Sequence, residues 1–538
     1  MGSGTPGLST VSIHSPLQAL RLVLDSGASG GFGFGNEFLS FPELDRRSNQ
    51  CCHMLEALGV GRGDRVLGMI GNTPEIAIAW FATSKLGAIW VPVNTAYKGE
   101  WLSWPIIDSQ PAAIVSESSF APRFAELEQA LPPGRPFIYV GKPPSAPVGP
   151  MKVLPMSDCH KADDSPSAVN VHGADLSHLL YTSGTTGKSK GCMVSHNYLV
   201  NMARLGRQNL PRLPEEVLWT ALPLYHMAAT DLFLEELMLG GTTVFAPQFS
   251  VSRFWDDVGQ ANAKIVSLMG AMLVLVATAP DCEQAQNCYG QVRMVYGGPF
   301  PPNIQQMWKT RFGVQQTIGG VYGMTEANFL ALEAGRPPKE GSCGLPTESF
   351  DLRLVDEEDS EVAQGQVGQI VIRPRAPHVM FDGYWNNPSA SWSACQNLWF
   401  HTGDYARMDE EGYLYFVDRQ SDRMRRGAEN VSSFEMEEAL SHHPSIAQIA
   451  VHAVPSELGE DEIKATVVVA EGQSLTPEEL CQYAIARVPA FAVPRYIEFR
   501  DQLPRNPTGK VLKYQLRAEG VTPRTWDRRG AGMTVPRL

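Results

Sequence analysis

Short apolar runs with strand character alternate with helical patterns along much of the chain. Residues 41–58 and 74–86 have the apolar spacing of helices, whereas residues 65–70 and 89–93 are short runs rich in apolar side chains. A proline stands near the start of each helical segment, where it costs no hydrogen bond. This alternation predicts βαβ units on mostly parallel sheets flanked by helices.

The pattern changes character along the chain, and 538 residues are too many for a single core. Residues 341–415 carry short β runs with many turns, which predicts a small β-rich subdomain. Beyond it, helical and strand patterns mix in a compact α+β arrangement. The sequence therefore predicts an α/β protein with a large N-terminal domain, residues 1–419, and a small α+β C-terminal domain, residues 420–538. The further strands expected in the first domain are residues 112–115, 137–140, 217–222, 243–246, 265–268 and 293–296.

The composition excludes several classes of protein. A net charge of −13 argues against a general nucleic-acid binder, which usually carries a basic excess. The nine cysteines lack metal-ligand spacing, which favours thiols in a reducing cytosol. The N-terminal segment shows no secretory signal, and the apolar residues 265–279 fall short of the ~20 that span a bilayer. A cytoplasmic enzyme without a transmembrane segment is expected.

The segment YTSGTTGKSKG, residues 181–191, follows an apolar run that has the character of a buried strand. A strand that opens into a Gly/Ser/Thr loop can place backbone N–H groups and hydroxyls around an anion. A flexible linker is the alternative, but two lysines beside an apolar strand fit it poorly. The common phosphate loop needs four residues between its glycines, and only two separate Gly184 from Gly187.

This segment resembles the phosphate loop of the adenylate-forming superfamily, which includes acyl-CoA synthetases, luciferases and peptide-synthetase adenylation domains. The chain has Ser189 where the family usually has proline. By resemblance the loop binds ATP phosphates, and its Thr186 also assists Mg²⁺. The expected ATP-binding residues here are Thr182, Ser183, Gly184, Thr185, Thr186, Gly187 and Lys188.

The segment GGVYGMTE, residues 319–326, supplies an aromatic ring, a hydroxyl and a carboxylate. Taken alone, it is more typical of a helix start capped by Thr325. With the loop upstream it resembles the adenine motif of the family. The resemblance implies that Tyr322 stacks on adenine beside Gly323, that Thr325 contacts the α-phosphate and that Glu326 assists catalysis and Mg²⁺.

Further motifs of the family follow in order. Gly297 and Gly298 end an apolar strand, and in isolation a simple turn is the better explanation of them. Beside the other motifs they resemble the loop of the family that borders the adenine and the acyl group. His226 resembles the histidine near the acyl carboxylate. Asp404 and Arg419 resemble the pair that contacts the ribose, where a carboxylate that loses a hydroxyl partner is left unpaired at ~1–3 kcal/mol.

The C-terminal segment resembles the mobile domain of the family. The hinge is expected near residues 419–421, with Ser421 in place of the usual Asp or Lys. Arg426 and Gly427 resemble the loop that lines the coenzyme A tunnel; a basic turn before a helix with an S-x-x-E box at Ser432 is the alternative. Lys510 resembles the catalytic lysine of adenylation, an electrostatic role often worth ~10²–10³ in rate.

By resemblance the chain is an ATP-dependent acyl-CoA synthetase, most similar to the crotonobetaine/carnitine-CoA ligase branch. ATP, Mg²⁺ and coenzyme A are the expected cofactors and co-substrates, and a small-molecule acid is the expected partner. Alternatives are transfer of the adenylate to a carrier protein or an amine, nitrite activation for diazotisation, and a non-catalytic nucleotide-binding protein. The identity of the acid and the oligomeric state, with a homodimer among the options, are left open. The residues expected in the acyl pocket are Tyr225, Thr230, Gly320 and Val321.

Overall fold

The computed structural model describes residues 13–182, 188–298, 300–333, 335–419, 423–426, 429–456, 459–504 and 511–536. Two seven-stranded sheets form the larger part of the molecule. Their strands, in chain order, are β1 (Gly31–Phe34), β2 (Glu37–Ser40), β3 (Arg65–Met69), β4 (Ile89–Pro92), β5 (Ala113–Glu117), β6 (Pro136–Val140), β7 (Lys152–Pro155), β8 (Leu176–Thr182), β9 (Lys190–Ser195), β10 (Leu218–Thr220), β11 (Thr242–Phe245), β12 (Ile265–Ser267), β13 (Met294–Tyr296) and β14 (Gln316–Ile318).

Both sheets are parallel except at one edge. The first has the order β14-β13-β12-β10-β11-β1-β2, and only its β1–β2 pair is antiparallel. The second has the order β7-β6-β5-β3-β4-β8-β9, with the antiparallel pair β8–β9 at its edge. The glycine-rich loop thus connects two antiparallel strands, and α6 begins only after β9.

Helices cover these sheets and form much of the smaller domain. They are α1 (Pro16–Ser26), α2 (Phe41–Ala57), α3 (Pro74–Lys85), α4 (Gly99–Ser109), α5 (Ala121–Ala125), α6 (His196–Asn209), α7 (Met227–Leu239), α8 (Phe254–Gln260), α9 (Ala271–Thr278), α10 (Glu283–Asn287), α11 (Pro302–Phe312), α12 (Pro388–Ala394), α13 (Ser433–Ser441), α14 (Pro477–Arg487) and α15 (Lys513–Glu519). Short 3₁₀ turns lie at Ser118–Phe120, Glu128–Ala130, Met156–Lys161 and Ala490–Ala492.

The remaining strands form smaller sheets. A three-stranded sheet contains β15 (Val321–Met324), β16 (Asn328–Leu332) and β17 (Leu345–Pro346). A five-stranded antiparallel sheet contains β18 (Phe350–Val355), β19 (Gly368–Pro374), β20 (Cys395–Gln396), β21 (Trp399–Met408) and β22 (Leu414–Arg419). A ribbon of β23 (Arg423–Arg426) and β24 (Glu429–Ser432) precedes the last sheet, which contains β25 (Ile446–Pro455), β26 (Asp461–Val469), β27 (Tyr496–Phe499) and β28 (Trp526–Asp527).

Helices α3 and α7 are buried on nearly all sides, because apolar side chains surround their axes. Their rings pack together, with Phe233 stacked on Phe32 at 3.7 Å between centroids and Trp80 at 5.3 Å from Phe233. The same core cluster contains Val66 from the second sheet and Leu218 from the first. A shared layer of helices therefore holds the two sheets together.

The predictions of mostly parallel sheets, a β-rich subdomain and a C-terminal α+β fold are confirmed. Residues 265–279, too short for a bilayer span, form the expected strand as β12 and then α9, with Gly270 between them at φ +40°, a conformation that favours glycine. Helix α4 was not predicted, because Pro105 in its interior interrupts the helical pattern. In the described part of the chain, no helix combines the length and apolarity needed to cross a membrane. The domain boundary at residue 419 stays a prediction.

Asn72 connects the two large sheets at the ends of their strands. Its side-chain amide donates to the carbonyls of Leu222 (3.0 Å) and Ala246 (2.9 Å), and its Oδ1 accepts the N–H of Leu224 at 2.9 Å. The side chain is buried, so water cannot replace these bonds.

Asn72→Ala should therefore lower the free energy of unfolding by about 2–4 kcal/mol, because buried backbone groups lose their partners. Urea denaturation followed by tryptophan fluorescence measures the change. Thr310→Ala is the matched control, since the exposed Thr310 hydroxyl bonds only to its own helix, and it should shift stability by less than about 0.5 kcal/mol. Equal stability of Asn72→Ala and the wild type would contradict this role.

Candidate active site

A cavity of about 1740 Å³ opens at the carboxyl ends of the parallel strands. Segments that follow β3, β10, β12, β13 and β14 all contribute to its wall, including Asn72, Pro223, Met269, Gly297 and Gly319. Ligands of open α/β sheets bind at this edge, where the chain leaves the strands and loops can differ without disturbing the core. The fold therefore places several of the sequence motifs around one space.

The segment after β14 brings an aromatic ring against a buried carboxylate. Tyr322 borders the cavity and donates its hydroxyl to Asp404 Oδ2 at 2.7 Å. Asp404 is 5% exposed, and the backbone of Arg419 on β22 is its cross-strand partner. These three sequence-predicted residues thus meet, although Asp404 lies behind the ring rather than on the cavity wall. No helix follows Thr325, so the alternative of a helix cap there is wrong.

Glu326 is buried at the cavity wall, where its Oε1 accepts the hydroxyl of Tyr384 at 2.9 Å. Thr325 borders the same cavity, and its carbonyl accepts the hydroxyl of Tyr198 at 2.8 Å. A carboxylate held by a phenol beside an open space suits Mg²⁺, which prefers hard oxygen ligands and completes its shell with substrate phosphates and water. The described residues contain no group of three or more His, Cys, Asp or Glu side chains able to hold a metal by themselves.

Gly297 and Gly298 border the cavity directly after β13. A Cβ atom at Gly297 would stand 1.7 Å from the carbonyl oxygen of Leu268, and one at Gly298 would stand 2.9 Å from the Val321 side chain. Gly323 likewise leaves no room for a Cβ, which would come within 2.3 Å of the Asn328 carbonyl. Glycine is needed at these positions because the backbones approach closely.

The described ends of the glycine-rich loop contact the C-terminal domain. The Ser189 N–H donates to Glu435 Oε1 at 2.8 Å, while its carbonyl accepts the indole N–H of Trp104 at 2.7 Å. Lys188 Nζ lies 3.7 Å from Glu438 Oε1 and also lies over the ring of Trp104. Helix α13 therefore engages the lysine and the backbone that were expected to hold phosphate.

Glu435 has a different role from the one that its sequence context indicates. Ser432 caps α13 by accepting the Glu435 N–H at 3.3 Å, as the S-x-x-E pattern predicts. The expected return bond from the Glu435 carboxylate is not part of this cap, because that carboxylate binds Ser189 of the other domain. The capping box is thus half formed.

His226 stands before the first turn of α7 and contacts the C-terminal domain. Its Nε2 lies 2.8 Å from Glu429 Oε2, and the other oxygen of Glu429 accepts the Asn94 amide at 2.9 Å. Burial disfavours the charged imidazolium, but the charge of Glu429 and this hydrogen bond outweigh it and raise the pKa of His226. Both side chains border the cavity.

Arg426, expected to line the coenzyme A tunnel, has side-chain partners within its own domain in this structure, and its place in the tunnel stays a prediction. Arg426 pairs with Glu462 at 3.0 Å and donates to the carbonyls of Phe491 and Val493, all within the C-terminal domain. Alternate side chains of a strand point to opposite faces, so Arg425 rather than Arg426 borders the cavity.

Tyr225, Gly320 and Val321, expected in the acyl pocket, border the cavity. Thr230 does not, because it is buried and its hydroxyl donates to the carbonyls of Leu224 and His226.

Thr182, at the end of β8, borders the cavity as expected. The predicted residues Ser183, Gly184, Thr185, Thr186, Gly187, Ser421, Gly427 and Lys510 lie outside the described residues, as does the rest of the hinge beyond Arg419.

Sequence reasoning missed several residues of the site, among them Asp231, Tyr384, Arg425 and Glu429. Glu429 lies inside the sequence RGAEN, residues 426–430, and Arg425 directly precedes it. Strand alternation across that segment could have assigned Arg425 to the cavity face. Tyr384 follows no pattern, since it reaches Glu326 from 58 residues away.

Comparisons with known proteins agree with this geometry. The family model described as "AMP-binding enzyme" matches residues 25–385, and the model "AMP-binding enzyme C-terminal domain" matches residues 435–510. The chain belongs to this family of AMP-binding enzymes. The predictions of the adenylate-forming superfamily and of an ATP-dependent, AMP-forming ligase are thereby confirmed.

Individual relatives are more distant. A crotonobetaine/carnitine–CoA ligase of Salmonella arizonae is 28% identical over 487 residues, which cover 89% of this chain and 93% of that protein. The ligase of the same name from Proteus mirabilis is 28% identical and covers 89% of this chain and 92% of its own length.

Solved structures share the fold. An o-succinylbenzoate CoA synthetase from Bacillus subtilis has a TM-score of 0.79 at 23% identity, and the match covers 94% of this chain and 98% of that protein. An amide bond synthetase from Marinactinospora thermotolerans has a TM-score of 0.80 at 24% identity, and the match covers 93% of this chain and 99% of that protein.

Glu429→Gln should lower the pKa of His226, because the variant removes the charge that stabilises the imidazolium. In the wild type this ion pair is fully formed below the ordinary imidazole pKa of about 6.5 and is lost as the pH rises through the raised pKa. NMR titration of the His226 ring measures its pKa in the wild type and in Glu429→Gln. Glu438→Gln is the control, because Glu438 contacts Lys188 and the change removes a carboxylate charge from the same domain. A His226 pKa that is unchanged in Glu429→Gln would contradict the assignment.

Proposed function

We propose that this enzyme joins a small organic acid to coenzyme A in two half-reactions at the cavity. First the carboxylate attacks the α-phosphate of ATP, and an acyl-adenylate forms as pyrophosphate leaves. Then the thiol of coenzyme A attacks the acyl carbon, and AMP leaves with the bonding electrons of the mixed anhydride. The names of the curated relatives, crotonobetaine/carnitine–CoA ligases, support coenzyme A as the acceptor.

One observation carries the proposal. The β23–β24 ribbon of the C-terminal domain brings Arg425 and Glu429 to the wall of the same cavity that contains the adenine and acyl motifs. Its contact with His226 joins the ribbon to the start of α7, where the acyl group is expected. A second domain that closes this edge excludes water, and an adenylate protected from water survives until a thiol attacks it.

The remaining residues have roles in the first half-reaction. The loop from Thr182 to Lys188 holds the leaving pyrophosphate, and Lys510 stabilises the charge that develops at the α-phosphate. Glu326 and Thr186 would hold Mg²⁺, which neutralises the phosphates when bound. Tyr322 lies against the adenine ring, beside Gly297, Gly298 and Gly323. Asp404 and Arg419 bind the ribose, and Thr325 contacts the α-phosphate.

The second half-reaction requires a different arrangement. The C-terminal domain turns about a hinge near residues 419–421, so that Lys510 leaves and Gly427 reaches the thiol path. The contacts of Glu435 with Ser189 and of Glu438 with Lys188 support this order, because these carboxylates engage groups that bind phosphate in the first step.

Two finer statements belong to the same proposal. A cytoplasmic location is supported by Cys51 and Cys52, adjacent buried thiols that form no disulfide and whose pKa values burial raises. A homodimer is proposed as one oligomeric state, and light scattering on the purified enzyme tests it.

The proposed reaction is tested with a panel of acids that includes carnitine, crotonobetaine, short fatty acids and nitrite. Pyrophosphate release reports adenylation, and mass spectrometry with and without coenzyme A identifies the product. We expect release with at least one carboxylate and a thioester only when coenzyme A is present. Release with nitrite and an amine, or an amide product in place of a thioester, would overturn coenzyme A as the acceptor.

Lys510→Ala should reduce pyrophosphate release on the order of 10²–10³-fold, because the lysine stabilises the transition state of adenylation. Thioester formation from supplied acyl-adenylate should be largely spared, since Lys510 is absent from the second arrangement. Stopped-flow assays of the two half-reactions measure the difference, with the exposed Lys152→Ala as control. Equal loss of both half-reactions would refute this division.

Gly427→Leu should have the opposite effect, because a bulky side chain blocks the thiol path and leaves adenylation intact. The same two assays apply, and Gly427→Ala tests whether the loss grows with side-chain size. Unchanged thioester formation in Gly427→Leu would remove Gly427 from the path.

A further inference from the structure

Helix α9 begins without a cap from its own sequence. The residue before it is Gly270, which has no side chain, and the first turn contains no Asp or Glu. The N–H groups of Met272 and Leu273 donate to the carbonyls of Met269 and Gly270 at 2.9 and 3.1 Å. Because the first N–H groups of a helix have no acceptor within it, the N–H of Ala271 needs a partner from elsewhere.

A carboxylate of the C-terminal domain supplies that partner. Glu460 Oε1 accepts the Ala271 N–H at 3.2 Å, although 189 residues separate the two along the chain. Gly270 allows this approach, because a Cβ atom there would stand 2.0 Å from the same carboxylate oxygen. The N-terminal end of a helix carries a partial positive charge, which favours a carboxylate at this place. Glu460 thus caps a helix that belongs to the other domain.

Glu460 is also tied to the ribbon that reaches the cavity. It lies in the connection between β25 and β26, and the next residue, Asp461, accepts the backbone N–H of Arg425 at 2.9 Å. Arg425 is on β23, and Glu429 on the paired strand β24 contacts His226. Two adjacent carboxylates therefore join α9 to the ribbon that stands beside the expected position of the acyl group.

The contact with Ala271 lies within the cavity wall of the larger domain. Met269 and Met272, on either side of the Gly270–Ala271 peptide, both border the cavity. The Gly270 N–H donates to the carbonyl of Gly298 at 3.3 Å, which joins this turn to the glycine segment after β13. Thioether side chains adapt to their surroundings, so their positions depend on how firmly the backbone beneath them is held.

Rotation of the C-terminal domain would remove this cap. Glu460 and Ala271 lie on opposite sides of the hinge expected near residues 419–421, so they separate when the domain turns. In the observed arrangement Glu438 contacts Lys188, a residue expected to bind pyrophosphate in the first half-reaction, so we assign the cap to the second one. A contact made in one of two positions shifts their populations by its own free energy.

We infer that Glu460 is a positioning residue for the second half-reaction. It stabilises the arrangement in which the thiol attacks, and it fixes the Met269–Met272 segment of the cavity wall only in that arrangement. The inference rests on the proposed function and deepens it, because it adds a residue through which the position of the C-terminal domain controls the wall of the acyl pocket.

Glu460→Ala removes the acceptor and tests the division between the half-reactions. At subsaturating coenzyme A, the rate of thioester formation from supplied acyl-adenylate should fall about 5-fold, as expected for the loss of a helix cap. Pyrophosphate release without coenzyme A should change by less than about 2-fold, because the cap is absent from the first arrangement. Glu460→Gln keeps an acceptor oxygen and should recover part of the rate. Glu471→Ala, which removes an exposed carboxylate of the same domain, should leave both rates unchanged.

A double-mutant cycle tests whether Glu460 and Gly270 meet directly. Gly270→Ala places a methyl group where the Glu460 carboxylate lies, so it should slow thioester formation more in the wild type than in Glu460→Ala. The backbone strain of alanine at φ +40° is present in both backgrounds and cancels in the cycle. Gly290→Ala is the control for such strain, because φ is +73° there and no atom lies within 4 Å of the added Cβ. Additive effects of the two substitutions would contradict the contact.

Hydrogen–deuterium exchange gives a readout that does not depend on turnover. Deuterium uptake in the peptide of residues 269–278 should be faster in Glu460→Ala than in the wild type and unchanged in Glu471→Ala. Unchanged uptake in Glu460→Ala would overturn the cap. Faster uptake without a slower thioester step, or equal loss of both half-reactions, would overturn its role in the second one.

These outcomes are distinct from failure of the proposed function. Absence of thioester with every acid, in the wild type and with coenzyme A present, would overturn coenzyme A as the acceptor. The exchange experiment would still decide whether Glu460 caps α9, because it needs neither substrate nor product.

Discussion

Carboxylates of the C-terminal domain form the interaction on which the arrangement of the cavity depends. Glu429 contacts His226 and Asn94, Glu435 contacts the Ser189 backbone, and the domain is additionally anchored where Lys98 donates to the Ile485 carbonyl. Each of these partners lies in the larger domain at the edge where the parallel strands end. Carboxylates of the C-terminal domain thus serve as acceptors for the Ser189 N–H and as a charge partner for Lys188.

The larger domain can present such an edge because its two sheets share one layer of buried helices. Phe233 of α7 packs against both Phe32 and Trp80, so the helix that begins beside His226 is fixed from both sides. Asn72 then joins the strand ends directly. The position of His226 relative to the cavity therefore depends on the packing of the whole core. The loops around it can differ in sequence with little loss of stability.

The fold and the family could be predicted from local sequence, whereas the long-range contacts of the site could not. The strand alternation and the YTSGTTGKSKG and YGMTE segments indicate fold and family because their information lies within a few neighbouring residues. The contact between His226 and Glu429 spans 203 residues, and no local pattern encodes it. The contacts of Arg426 within the C-terminal domain are equally non-local, because the direction of a side chain depends on the strand register, which a local resemblance leaves unspecified.

The half-formed cap of α13 has a consequence for the energetics of domain movement. In a complete capping box the glutamate of the S-x-x-E sequence accepts the N–H of the serine, whereas here Glu435 accepts the Ser189 N–H. In the proposed turn of the C-terminal domain, the bond to Ser189 is exchanged for the capping-box bond to the Ser432 N–H, which is of the same chemical kind. An exchange between equivalent partners changes the enthalpy little, so this contact favours neither position strongly. Such near-degeneracy is what a domain needs if it is to occupy two positions in every catalytic cycle and remain in neither.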